Sequence, residues 1–142
     1  MKKVKKSISL LLALLCMLST VCFANASTAY NGDPISPYYD YISSVKATLG
    51  ISSSGKATCE ALVRTFGAYD IELTITLQKS SNQATWSDVK TWNATGSRIA
   101  SASKTYYVSS GYYYRITVIA DIYDDNHNLL ESVPNTSDIT YY

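Results

Sequence analysis

The sequence predicts an all-β fold, a two-sheet sandwich of about seven strands, on three observations. Apolar and polar residues alternate with period two through most of residues 41–142. Clusters of turn-forming residues recur roughly every eight to twelve positions. No apolar repeat of about 3.6 residues persists after the first 26 positions, so no substantial helix is expected there.

The chain opens on Met1-Lys2-Lys3-Val4-Lys5-Lys6, followed by an apolar run from Ile8 to Phe23 that ends in Ala24-Asn25-Ala26. A basic start, a greasy core and small residues at the first and third places before the cut predict a signal peptide over 1–26. Ser27 and Ala29 offer the same small-small spacing for a cut after Ala29. The run is shorter than the ~20 residues that cross a bilayer. Leu15 and Val21 precede Cys16 and Cys22 where a lipid-attachment site wants a small residue, and Asp138 to Tyr142 carries no anchor. The expected product is secreted and extracellular, with no membrane attachment after cleavage.

Without residues 1–26 the chain keeps eight Lys and Arg against eleven Asp and Glu, a net charge of about −3. Lys46, Lys56, Arg64, Lys79, Lys90, Arg98, Lys104 and Arg115 are scattered singly, which argues against nucleic acid, because a phosphate backbone needs clustered cations. Residues 27–142 suffice for one domain with one core. Only Cys59 remains, so no internal disulfide forms and core burial must carry stability. Cys59 is in phase with Ala57, Ala61 and Val63, which reads as a small buried hydrophobe; an unpaired cysteine linking two chains is the alternative.

Residues 27–40 contain Asn31-Gly32-Asp33-Pro34 and Ser36-Pro37, which break regular structure, and form a flexible lead-in. The domain spans 41–142. Tyr41, Val45, Ala47, Leu49 and Ile51 alternate with Ser44, Lys46, Thr48 and Ser52 as a first strand. After the turn Ser52 to Gly55, Ala57, Cys59, Ala61 and Val63 line a second. Phe66 to Asp70 breaks the pattern, and Ile71, Leu73, Ile75 and Leu77 form the cleanest strand of all. Ser80 to Gln83 turns the chain into a short return marked by Trp86, Val89 and Trp92. Between Arg98 and Val108 the inward face is ambiguous, since Ile99 and Tyr107 share one parity and Ala100, Ala102 and Val108 the other; a bulge is expected. Tyr112, Tyr114, Ile116, Val118, Ala120 and Ile122 make the next long strand. Asp124 to Asn128 turns, Leu129 to Val133 returns, and Thr136 to Tyr142 is the last strand.

Leu77-Gln78-Lys79-Ser80-Ser81 with Thr85-Trp86-Ser87-Asp88-Val89 resembles the third strand, hairpin and return of fibronectin type III and related bacterial immunoglobulin-like domains. Gly111-Tyr112-Tyr113-Tyr114-Arg115-Ile116 is similar to their sixth strand, and the resemblance implies that Tyr114 is the tyrosine-corner residue. The match covers about half of the mature chain. The paired cysteines of antibody-type domains and a tryptophan in the second or third strand are absent. The whole chain also resembles small secreted sandwich proteins of Gram-positive bacteria, a likeness that implies no activity.

No nucleophile elbow, metal-ligand cluster or phosphate loop stands in the sequence, so no enzyme and no cofactor or metal is expected. His127 sits in a turn and Cys59 within a strand, with no third group to orient a dyad. Asp124, Asn126 and Asn128 have the spacing that begins a calcium loop, but Leu129 stands where glycine is needed and no glutamate closes the loop; an Asx-stabilised turn is the competing reading. The compositional oddity is tyrosine, thirteen residues of which nine cluster as Tyr38-Tyr39, Tyr106-Tyr107, Tyr112 to Tyr114 and Tyr141-Tyr142. Neighbours in a strand face opposite ways, so each cluster turns a ring outward. Trp86, Trp92, Tyr106 and Tyr113 are the candidate ligand surface, for an extracellular glycan or protein; cross-strand pairing that steadies the sheet is the structural alternative. Two functions follow as expectations, a non-catalytic binding or adhesion module and a self-associating structural protein.

Overall fold

A computed structural model describes residues 38–142, and the expected signal peptide and most of the lead-in lie outside the described residues. Every regular element among the described residues is a strand: β1 Ile42–Ile51, β2 Lys56–Thr65, β3 Asp70–Ser80, β4 Ser87–Ser97, β5 Ile99–Tyr107, β6 Tyr113–Tyr123, β7 Leu129–Thr136 and β8 Thr140–Tyr141. All pairings are antiparallel, along the path β1-β2-β5-β4-β3-β6-β7, with β8 continuing beside β6. Between β5 and β4 the path rests on one residue pair, Ser97 with Ile99, whereas β2 and β5 pair from Lys56–Tyr107 to Arg64–Ile99. The ribbon therefore folds at that point into two sheets, β1-β2-β5 and β4-β3-β6-β7, packed as a sandwich.

Period-two burial accounts for the core. Ala57, Cys59, Ala61 and Val63 of β2, with Ala100 of β5, meet Ile71, Leu73, Ile75 and Leu77 of β3 and Tyr114, Ile116, Val118, Ala120 and Ile122 of β6 in one cluster. The three-stranded sheet contributes mostly small side chains and the larger sheet mostly branched ones, so the layers can approach and fill the interior. On β1 the expected inward row of Val45, Ala47, Leu49 and Ile51 is half-buried, as suits a strand at the margin, and a register shift between Ile42 and Ser44 turns Ile42 fully inward.

The corner is built from backbone. Arg98 holds φ at 63°, a left-handed conformation that reverses the chain between β4 and β5 within one residue. Its N–H donates to the Tyr69 carbonyl, and its own carbonyl accepts from the Thr65 N–H, at 3.0 Å each. The Thr65 hydroxyl bonds the Gly67 carbonyl at 2.7 Å, so the β2–β3 connection and the corner are tied together.

The bulge expected between residues 98 and 108 is not there. Strand β5 keeps an unbroken register with β2, Ala100 and Ala102 face inward, and the larger Ile99 and Tyr107 point to water. The ladder bonds to β2 fix which side faces in, and side-chain size does not override them. Bulges occur elsewhere, at the start of β1 and opposite Leu77 and Gln78 in β4.

The start of the domain is latched across the sandwich. The Glu131 carboxylate on β7 accepts the backbone N–H groups of Asp40, Tyr41 and Ile42 at 3.2, 3.1 and 3.1 Å, and Tyr39 packs on the core, so ordered packing begins before residue 41. Glu131→Ala leaves these donors without partners. It should cost roughly 2 kcal/mol in urea denaturation, while Glu131→Gln, which keeps one acceptor oxygen, should cost about half as much.

Behind the sixth strand, the buried Tyr114 sends its hydroxyl to the Ser109 carbonyl at 2.7 Å, closing the β5–β6 connection. Ser137 interrupts the strand that runs along β6: its hydroxyl accepts the Ile116 N–H at 3.0 Å, separating β7 from β8. Tyr142 bonds back to Tyr112 and sends its hydroxyl to the Ser53 carbonyl in the β1–β2 turn.

Candidate functional site

On the outer face of the larger sheet, strand register gathers a patch that no single segment of sequence contains. Gln78 of β3 stands opposite Asp88 of β4 on one side and Arg115 of β6 on the other. The Gln78 amide donates from Nε2 to Asp88 Oδ1 at 2.8 Å, and its Oε1 accepts Arg115 Nε–H at 2.9 Å. Asp88 thereby fixes which end of the amide faces the arginine, and the amide fixes the guanidinium. The guanidinium carbon lies 4.1 Å from the centre of the Trp86 ring, a stacked cation–π contact, and the indole N–H is bonded to the Gln83 carbonyl at 3.1 Å. Two residues before Arg115 on the same face is Tyr113, whose ring centre is 4.9 Å from that of Tyr141 on β8. Tyr141 is 63% exposed, and Tyr113 is half-buried beneath it.

The four aromatic residues singled out in the sequence thus divide. Trp86 and Tyr113 are in the patch. Trp92 and Tyr106 are not: Trp92 pairs with the buried Ile75, Tyr106 with the buried Ala57, and their rings meet edge to face at 6.4 Å along the seam where β4 and β5 diverge. Trp92 packs against the core and Tyr106, an exposed ring, stands beside it, away from the Arg115 patch. Trp86 and Trp92 are six residues apart and would share a face in a regular strand; the extra residue in β4 opposite Leu77 and Gln78 sends them to opposite faces. Arg115, Gln78, Asp88 and Tyr141 were not anticipated. The outward parity of Gln78 and Arg115 was visible, but their adjacency depends on the β3–β6 register.

No protein-family model matches this chain, and no curated protein is similar to it. The site presents flat rings, one guanidinium, one amide and the Asp88 carboxylate on an open surface, which suits docking of a ligand.

Other groups with chemical potential sit apart from the patch. Cys59 is wholly buried in the interior, where burial pushes its thiol up to about 11, so while the domain is folded it neither ionises near neutrality nor reaches a second chain. His127 lies in the β6–β7 turn with φ at 61° and stacks on Tyr123 at 4.5 Å, outside the core that holds Cys59. Near it, Glu72 and Asp121 stand directly opposite one another and give this end of the face a negative potential. On the other sheet a shallow groove of about 350 Å³ runs over Leu62 between Lys46, Glu60, Ser101 and Ser103.

Asp124 spends its carboxylate on its own turn. Oδ1 accepts the backbone N–H of Asn126 and of Asn128 at 2.9 and 2.8 Å, and Oδ2 accepts the Asn128 side-chain amide at 2.9 Å. This is the Asx-stabilised alternative to a calcium loop. The bonds from Asn128, side chain first, hold the Asp124 carboxyl below its ordinary value of 3.8. A depressed value means that the turn gains stability above the unfolded-state value of about 3.9 and loses it as pH falls through the lowered folded value. In an NMR titration the Asp124 carboxyl should titrate below its ordinary value of 3.8, and Asn128→Ala should return it towards that value.

Proposed function

We propose that the protein is a secreted, non-catalytic binding module of fibronectin type III type that engages an extracellular glycan through the outer face of β4-β3-β6-β8. The type is supported by the division into β1-β2-β5 and β4-β3-β6-β7 and by the Tyr114–Ser109 bond. The binding role rests above all on one observation, the grouping of Trp86, Arg115, Tyr113 and Tyr141 on one open face with the arginine held by Gln78. Rings fixed in advance lose little entropy when a ligand stacks on them. The surface beside them is a carpet of outward polar groups, Thr74, Thr76, Thr91, Asn93 and Thr117, suited to a hydroxyl-rich partner.

A glycan array together with a pull-down on cell-wall and host-surface polysaccharide tests this reading. Wild type should retain ligand and Tyr113→Ser/Tyr141→Ser should lose at least tenfold in affinity; binding by neither, or equally by both, contradicts it. Self-association is the second reading, favoured by the edge of β1, which runs in regular register from Ser44 to Ile51 with its inward row half-buried. Sizing the protein across concentration separates the two, since a strict monomer removes the second.

A further inference from the structure

The aromatic rings of the patch explain stacking but not selectivity, and Arg115 is the group left to supply it. Its guanidinium is constrained twice, by the Nε–H bond to Gln78 Oε1 at 2.9 Å and by the Trp86 ring at 4.1 Å. Among the described residues Nη1 and Nη2 take part in no hydrogen bond or ion pair, although Asp88 is close enough to bond Gln78. Asp88 Oδ1 accepts the amide and orients the network, and among the described residues Asp88 makes no ion pair with the fork. An arginine left half-exposed, held in one plane and with its terminal N–H groups unpaired is a preorganised receptor for a planar oxyanion.

We propose that Arg115 binds the carboxylate of an acidic sugar whose ring stacks on Tyr141 and Tyr113, so that the ligand is a glycan bearing an acidic monosaccharide, such as a hexuronate, at the docked position. This rests on the glycan-binding reading above and adds the chemical class. The charge pattern of the face limits it further. From Arg115 to Asp121 is six residues of strand, about 20 Å, and there Glu72 and Asp121 face each other. A polyanion laid along the strands would meet those carboxylates, whereas a single acidic residue at the Arg115 end does not. The hydroxyl and amide carpet between the two ends, Thr74, Thr76, Thr91, Asn93 and Thr117, offers hydrogen bonds to a hydroxyl-rich ligand, which favours a sugar chain over an acidic peptide.

Two oligosaccharides that differ only in a terminal glucuronate or glucose supply the test, titrated calorimetrically into the folded domain beside a peptide rich in glutamate. The glucuronate form should bind at least tenfold more tightly than the glucose form. Arg115→Lys keeps a charge but loses the fork, and Gln78→Leu keeps the arginine but frees it; each should erase the preference for the glucuronate form, with the melting temperature little changed. Equal affinity for the two sugars, or a preference that survives both substitutions, overturns the role of Arg115 and leaves the binding face standing. Tighter binding of the peptide than of the glucuronate overturns the acidic-sugar assignment. If neither sugar binds and Tyr141→Ser changes nothing, the inference and the reading beneath it fail together.

Discussion

Gly96→Val is expected to destabilise the domain by roughly 3 kcal/mol, and Gly96→Ala by about 2 kcal/mol, in urea denaturation. The reason is a close approach at the corner where the two sheets part. A Cβ on Gly96 would lie 2.3 Å from the Ile99 carbonyl oxygen and 2.9 Å from Ala100 Cα. Both are backbone atoms of β5, so no side chain can swing aside. Relief would have to come from moving β5, which the long ladder with β2 resists, or from opening the Arg98 reversal, whose backbone groups bind Tyr69 and Thr65. A loss below about 0.5 kcal/mol for valine would mean that β4 and β5 do not cross as closely as described.

Ile75→Ala is expected to cost about 3 to 4 kcal/mol, because a wholly buried aliphatic side chain is lost from the middle of the interior with little room for collapse. Ile75 stands between Val118 of β6 and Trp92 of β4, so the cavity opens beside the ring that closes the seam. Its neighbour Thr76 points outward to Thr91, and Thr76→Ala should stay within roughly 0.5 kcal/mol. The contrast between adjacent residues is a direct consequence of period-two burial, and similar costs at the two positions would contradict the assignment of faces.

Strands β2, β3 and β6 were legible because each is an inner strand with an unbroken inward row of apolar residues, Leu62 and Ile119 being the outward aliphatic exceptions, and a dry interior imposes that alternation on the sequence. Strand β5 was not. Its inward residues are alanines and its outward ones include Ile99 and Tyr107, so size suggested the wrong contradiction and hence a bulge. The bulge that matters for the site is in β4, and a single inserted residue leaves no mark in composition. That is why Trp86 and Trp92 looked equivalent and why Trp92 and Tyr106 were placed with the ligand surface. Arg115, Gln78 and Asp88 come from three strands, and only their register joins them. The Asx-stabilised form of the β6–β7 turn was legible as one of two readings, since Asp124 and Asn128 act within five residues of chain.

Selective docking at this face requires a guanidinium that is already fixed before any ligand arrives, and side-chain ¹⁵N relaxation at Arg115 Nε in the free domain measures this directly. An order parameter near 0.8, close to the rigid backbone, that drops in Gln78→Leu is the predicted result. A value under about 0.5 in the unmodified protein, as for a freely moving surface arginine, would contradict it.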